Sequence, residues 1–301
     1  MRPILVAGKN GQLARCLADV GAQRAVPIFS AGRPEFDLED PGSIERVVTA
    51  VLPEAIVNAA AYTAVDKAES EPQRAFAVNR DGAGQLAATA RRFRIPFIHV
   101  STDYVFDGLK SVPYREDDAP SPLGVYGRSK LEGEIAVMTA NPDAFVFRTS
   151  WIYSAYGTNF VKTMLRLADT HDLVRVVDDQ FGAPTAASDL ARAILDAVAH
   201  VVEKKIQVEP GIYHVTAAGE TTWFGFADAI FAGWRQRGCR VPKLEAITTA
   251  DYPTPVRRPA NSRLDCAKFQ RTFGICLPLW STSLGACLDI LAAAQREAQK
   301  C

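Results

Sequence analysis

This sequence has little that would hold a protein to a charged partner or across a bilayer. Its 34 lysines and arginines are balanced by 34 aspartates and glutamates, so no bulk field draws it to nucleic acid or to an acidic membrane, and any anion must be met by local donors. The apolar stretches fall short of the roughly 20 uninterrupted residues that a bilayer span needs; residues 191–202, for example, are broken by Arg192 and Asp196. No signal-peptide pattern precedes the first glycine loop, and a cytoplasmic location is expected. The six cysteines, at 16, 239, 266, 276, 287 and 301, make no CxxC pair and read as free thiols of a reducing compartment. Four scattered histidines, at 99, 171, 200 and 214, complete no HExxH or Cys/His ligand spacing, so no metal is expected. Repeats and low-complexity tracts are also lacking.

What is present is a chain of 301 residues, 48% of them apolar, long enough to bury a core without metals or disulfides. Short apolar or β-branched runs at 4–7, 26–29, 55–58, 96–100, 145–149 and 174–177 alternate with helical patterns, as in a parallel sheet with crossover helices. Asp40-Pro41 reads as an N-cap followed by proline at the first helical position. Further helices are expected at 72–92, 127–138, 187–202, 223–237 and 284–299. The spacing predicts an α/β fold, a Rossmann-type doubly wound parallel sheet with a smaller C-terminal lobe. Residues 1–180 form the core, parts of 181–245 can return to it, and 181–301 are mainly the second lobe.

The stretch from Gly8 to Ala14 (GKNGQLA) directly follows the first strand and opens a helix. In that position glycines let the backbone approach a pyrophosphate, which free N–H groups at the helix N-terminus bind. Gly8, Asn10 and Gly11 are the candidate residues, although the GxxGxxA spacing is one residue wider than the usual dinucleotide fingerprint. The second strand of such folds commonly ends in an acid that binds the adenosine ribose. Here the first charged side chain is Arg33, which favours NADPH and leaves NADH possible.

Tyr126 and Lys130 stand four residues apart, on one face of a predicted helix. A phenol titrates near ~10, and an ammonium within ~4 Å stabilises its phenolate by up to ~4 kcal/mol at an effective dielectric of 20. The expectation is therefore that Lys130 eases proton release from Tyr126 to an alkoxide forming from a ketone. Thr102, at the C-terminal end of the strand at 96–100, lies where open α/β sheets place ligands and can bond the same oxygen.

The ordered set GxxGxxA, Asn58-Ala59-Ala60-Ala61, Asn79 within AVNRDG, Ser101-Thr102 and Tyr126-x3-Lys130 resembles the extended short-chain dehydrogenase/reductase family. Longer stretches, NAAAYTAVDKAE at 58–69, STDYVFDG at 101–108, RTSWIY at 148–153, DDQFGAPT at 178–185 and RPANSRL at 258–264, resemble its sugar-nucleotide reductases and extend the likeness over nearly the whole chain. The resemblance implies a nicotinamide-dependent reduction of a C4 ketone on a dTDP-linked 4-keto-6-deoxy sugar. It implies Thr102, Tyr126 and Lys130 as the catalytic set. It implies Gly11, Gln12 and Leu13 on the cofactor pyrophosphate, Asp37 and Leu38 beside the adenine, and Ala59, Ala60, Ala61, Tyr62, Thr63 and Val100 along the ribose and nicotinamide, with Lys130 on the ribose. Thr102, Asp103, Tyr104, Tyr126 and Trp151 would face the sugar, and Asn79 would be mainly structural. Arg257 and Arg258 are cations suited to a diphosphate, or else a solvated basic loop. An epimerase, a dehydratase or a non-catalytic regulatory subunit of the same fold are the alternatives. Tyr104 stands where a dehydratase would carry glutamate. The partner is a small sugar nucleotide, with a monomer or weak homodimer expected and no nucleic acid or membrane.

Overall fold

The computed structural model describes residues 2–203 and 208–298. Six strands form one all-parallel sheet: β1 (Ile4–Ala7), β2 (Ile28–Ala31), β3 (Ala55–Asn58), β4 (Phe97–Thr102), β5 (Phe145–Thr149) and β6 (Gly211–His214), in the spatial order β6-β5-β4-β3-β1-β2. β1, β3 and β5 are buried along their whole length, as strands covered on both faces must be.

Strand alternation divides the core into two layers. Ile4, Val6, Val57, Phe145 and Phe147 point to one face, where α1 (Gln12–Gln23) and a helix at Ala187–Glu203 pack with the short helix Ala267–Phe273. Leu5, Ala7, Ile56, Phe97 and Val146 point to the other, against α2 (Pro41–Val51), α3 (Ala83–Arg92) and α4 (Val125–Ala140). This is the doubly wound sheet that the sequence predicts. Asp40 caps α2 by accepting from the Gly42 N–H at 3.0 Å, with Pro41 at the first helical position.

Three local expectations are corrected. The run at 174–177 is a strand, Leu173–Val177, but it pairs with Lys243–Ile247 in a separate two-stranded sheet. The sixth place in the main sheet belongs to β6. The second strand lies two residues later than predicted, because residues 26–27 lead into it. The helix expected over 72–92 contains a π-helical stretch at Ala77–Gly82, between Pro72–Phe76 and α3. Gly133 of α4 packs against that stretch so closely that a Cβ there would lie 2.0 Å from the Asn79 carbonyl oxygen. The position 299 at the end of the last predicted helix lies outside the described residues; the helix itself is Trp280–Ala298.

A further cluster joins Tyr153, Phe160–Thr170, Leu173–Val177, Trp223–Gln236 and the Trp280–Ala298 helix. Its first member, Tyr153, follows the carboxyl end of β5 at Thr149. Among the described residues no helix is long and apolar enough to cross a membrane.

Candidate active site

A cleft of about 800 Å³ opens at the carboxyl ends of β1 to β5, where the strand order reverses and ligands of such sheets bind. Every candidate cofactor, catalytic and sugar-facing residue from the sequence lines it, from the glycine loop through Arg33 and the 59–63 segment to Thr102, Tyr126, Lys130 and Trp151. Asn79, Arg257 and Arg258 do not line it; Asn79 bonds Tyr62 and Arg258 bonds Tyr104, which do, while Arg257 is exposed.

The glycine-loop end is shaped for an anion. Gly8 has φ +103 and lies so close to Ala59 and Ala60 that a Cβ would meet Ala60 at 3.0 Å. Gly11 begins α1 with no side-chain cap, and the first turn holds no acidic residue. The leading N–H groups are thus left for a ligand. The Gln12 side-chain oxygen instead accepts from Ser154 Oγ at 2.9 Å and Asn159 Nδ2 at 2.8 Å, tying the loop to residues 154–159. Arg33 is exposed at the end of β2 and makes no ion pair among the described residues. Asp37 and Leu38 follow, with the Asp37 N–H donating to Ser43 Oγ at 2.9 Å.

Asn79 explains the π turn. Its side chain accepts from the Tyr62 N–H at 2.8 Å and donates to the Tyr62 carbonyl at 3.0 Å and to Ser129 Oγ at 2.9 Å. Ser129 in turn donates to the Tyr126 carbonyl at 2.8 Å. One buried asparagine therefore fastens the 59–63 segment to the helix that carries Tyr126 and Lys130, as local π geometry at functional sites often does.

At the reacting end, Thr102 Oγ1 donates to Asp103 Oδ1 at 3.1 Å and accepts from the Tyr104 N–H at 3.2 Å. The Tyr104 ring meets Tyr126 edge-on at 5.4 Å. Burial holds the Asp103 carboxyl up at about 6 and Tyr104 up at about 12. Tyr126 departs from expectation. Its phenol is pushed well above the ordinary value, chiefly by burial and further by Asp103 and Tyr104, while the Thr102 hydrogen bond works in the opposite sense. Lys130 does not turn toward the phenol: its nitrogen donates to the Val100 carbonyl at 2.7 Å and lies 3.2 Å from His99 Nε2. Burial also draws Lys130 down to about 8. Tyr126 is accordingly an acid that keeps its proton at neutral pH.

Trp151 holds a left-handed backbone, φ +49, and stacks on Trp223 at 3.5 Å and 10°. Gly182 packs against its six-membered ring, where a Cβ would come within 2.4 Å of Cε2, so the indole is held closely by both neighbours. Trp223 lines the cleft as well, and the sequence reading missed it. Thr222 and Trp223 open a helix far along the chain, and no local motif links that turn to the sheet. His99 was also missed; its one signal was a polar ring inside an otherwise apolar strand.

A nucleotide-binding α/β cleft with a tyrosine–lysine pair one helical turn apart defines the class of the extended short-chain dehydrogenases/reductases. Within that class, the model of the RmlD substrate binding domain family matches residues 1–293, and the chain belongs to this family. A dTDP-4-dehydrorhamnose reductase of Sinorhizobium fredii is 51% identical over 280 residues, covering 93% of this chain and 94% of that protein. Among solved structures, the dTDP-4-dehydrorhamnose reductase of Clostridium acetobutylicum superposes with a TM-score of 0.87 at 36% identity, covering 96% of this chain and 99% of that one. The Bacillus anthracis enzyme, solved in complex with NADP, gives 0.87 at 31% identity, covering 95% and 98%.

Proposed function

We propose that this chain catalyses the NADPH-dependent reduction of the C4 ketone of dTDP-4-dehydro-β-L-rhamnose to dTDP-L-rhamnose, the last step in forming that sugar nucleotide. The observation that carries the reading is a single cleft that joins an uncapped helix N-terminus to the cluster of Thr102, Tyr126 and Lys130, in a family whose similar members bear this reductase name. The segment at 181–301 serves mainly as the sugar-nucleotide lobe. The protein works as a monomer or weak homodimer in the cytoplasm.

The glycine cradle fits a dinucleotide diphosphate. Gly8, Asn10, Gly11, Gln12 and Leu13 would hold it, Arg33 would meet a 2′-phosphate, and Asp37 and Leu38 would flank the adenine. Ala59, Ala60, Ala61, Tyr62, Thr63 and Val100 would line the ribose and nicotinamide. When bound, NADPH supplies the hydride. The chain supplies orientation, charge and a proton. Tyr126 delivers its phenolic proton to the sugar oxygen at C4, and Thr102 and Lys130 steady the negative charge there. Asp103, Tyr104 and Trp151, all lining the cleft, hold the hexose and keep water out. Tyr104 argues against dehydration, since a tyrosine cannot serve as the carboxylate base that removing water requires.

The test is the purified chain alone with the 4-keto sugar nucleotide. Oxidation of NADPH matched by dTDP-L-rhamnose is expected, with NADH a poorer donor. No turnover, or a nicotinamide that copurifies and never exchanges, contradicts the reading; the second result would mark an epimerase. Arg33→Ser should lower the preference for NADPH over NADH about tenfold, the worth of one charge-assisted hydrogen bond.

A further inference from the structure

His99 has no part in the chemistry described above, yet it is completely buried and stands between two site elements. On β4 its side chain shares a face with Phe97 and Ser101 and looks at α4. On the adjacent strand its register partner is Asn58. The contacts form a line: Asn58 Nδ2 lies 3.1 Å from His99 Nδ1, and His99 Nε2 lies 3.2 Å from Lys130 Nζ. At the near end, Asn58 Oδ1 accepts from the Ala60 N–H at 3.2 Å, inside the segment that lines the cleft.

These partners determine where the imidazole proton sits. With Asn58 Oδ1 engaged by Ala60, its Nδ2 is a donor, and His99 Nδ1 must be a bare acceptor. The ring is neutral, because burial and then Lys130 hold its proton affinity well below the ordinary 6.5. Its single proton therefore lies on Nε2 and faces Lys130. An ammonium has no lone pair to receive that N–H. An amine has one: it accepts from His99 Nε2, donates to the Val100 carbonyl and keeps a second N–H for the cleft.

We infer that His99 is a positioning residue for Lys130, with Asn58 fixing the imidazole as its Nε2–H tautomer, so that the buried network is fully hydrogen-bonded when Lys130 is an amine. Lys130 then holds its proton loosely and readily gives it up toward the cleft. The ionisable groups around it are few. Tyr126 and Glu134 lie on its own helix, Asp103 lies behind Tyr126, and Arg148 binds Glu134 on both oxygens. Glu134 favours the ammonium only through space, and among the described residues no carboxylate hydrogen-bonds it. The consequence for turnover rests on the role of Lys130 under Proposed function; the tautomer does not.

The test uses the whole protein with ¹⁵N-labelled histidine, the His99 signals being those lost in His99→Gln. NMR should find Nε2 protonated and Nδ1 bare between about pH 6 and 9. A proton on Nδ1, or formation of an imidazolium near 6.5, overturns the proposal. Asn58→Asp reverses the polarity: its carboxylate accepts a hydrogen bond from Nδ1–H, which moves the imidazole's one proton to Nδ1 and leaves Nε2 bare to accept from an ammonium. The tautomer should switch, and the alkaline limb of the kcat profile should move up by about one pH unit, a tenfold gain at the top of the range. A switched tautomer with an unmoved limb overturns it. If Asn58→Asp does not fold, His99→Gln, which offers Lys130 an amide oxygen, should move the limb the same way. If wild-type protein does not reduce the 4-keto sugar at all, the functional reading fails, and the tautomer measurement alone decides this inference.

Discussion

Two buried cations lie under α4, each beside a neutral histidine, and they are treated in opposite ways. Arg148 on β5 meets Glu134 through Nε at 2.9 Å and Nη2 at 2.7 Å, and Ser101 donates to the same carboxylate at 2.5 Å. Its guanidinium also lies 5.0 Å over the Phe106 ring. Lys130, one turn earlier on α4, has only a carbonyl and an imidazole. The spacing makes both contacts possible, since four helical residues rise about 6 Å and two strand residues about 6.6 Å, so Lys130 and Glu134 stand opposite His99 and Ser101. His214 pairs in register with Arg148 and is held down at about 3 by burial and then by that cation. The difference separates structure from function. Where charge is matched the side chains anchor the helix, and where it is left unmatched the proton can move.

The largest effect should come from breaking the matched side. Glu134→Gln leaves Arg148 buried without its counter-charge and should cost about 3–5 kcal/mol of stability, read by urea unfolding, while turnover per folded molecule changes little. Equal loss of kcat and stability would merge the two regions.

Acid acts on both histidines together. Each is neutral in the folded protein and free to protonate when unfolded, so the unfolded state binds more protons below 6.5. Stability should fall by about 1.4 kcal/mol per histidine per pH unit as pH drops through that range. Asp103 opposes this below about 6, because its raised carboxyl lets the folded state take up a proton first. Unfolding curves that are flat between about pH 5 and 6.5 would show that the rings are not held neutral.

The smallest effect on stability sharpens the contrast. Lys130→Met removes a buried charge that no carboxylate hydrogen-bonds among the described residues, so the folded protein should be as stable or gain about 1 kcal/mol while turnover collapses. A loss like that of Glu134→Gln would make Lys130 a structural anchor too.

The fold was legible wherever local pattern and tertiary role agree. GKNGQLA follows a fully buried strand, and Tyr126 and Lys130 share a helix face, so the motifs lead to the cleft. The errors arose where a local pattern had more than one partner available. Residues 174–177 look like a core strand, yet Arg175 interrupts the run and is exposed, as is Leu173, an alternation that belongs to a half-covered strand rather than to one buried on both faces. β6 is four residues long and its identity comes from pairing with β5, which no nearby residue announces. The sign of the Tyr126 shift is not legible in the sequence, because i,i+4 spacing fixes which face Lys130 occupies but not where its nitrogen turns. That depends on His99 and Val100, neighbours supplied by a strand some 30 residues earlier.

The central claim is that Tyr126 supplies the proton at the sugar oxygen. Tyr126→Phe keeps the ring and removes the hydroxyl, so measuring kcat on the 4-keto sugar nucleotide together with the Kd for NADPH tests it directly. The account predicts that kcat falls by about 10²–10⁴ while NADPH binds within about twofold of wild type. Turnover near the wild-type rate, with cofactor bound normally, would contradict it.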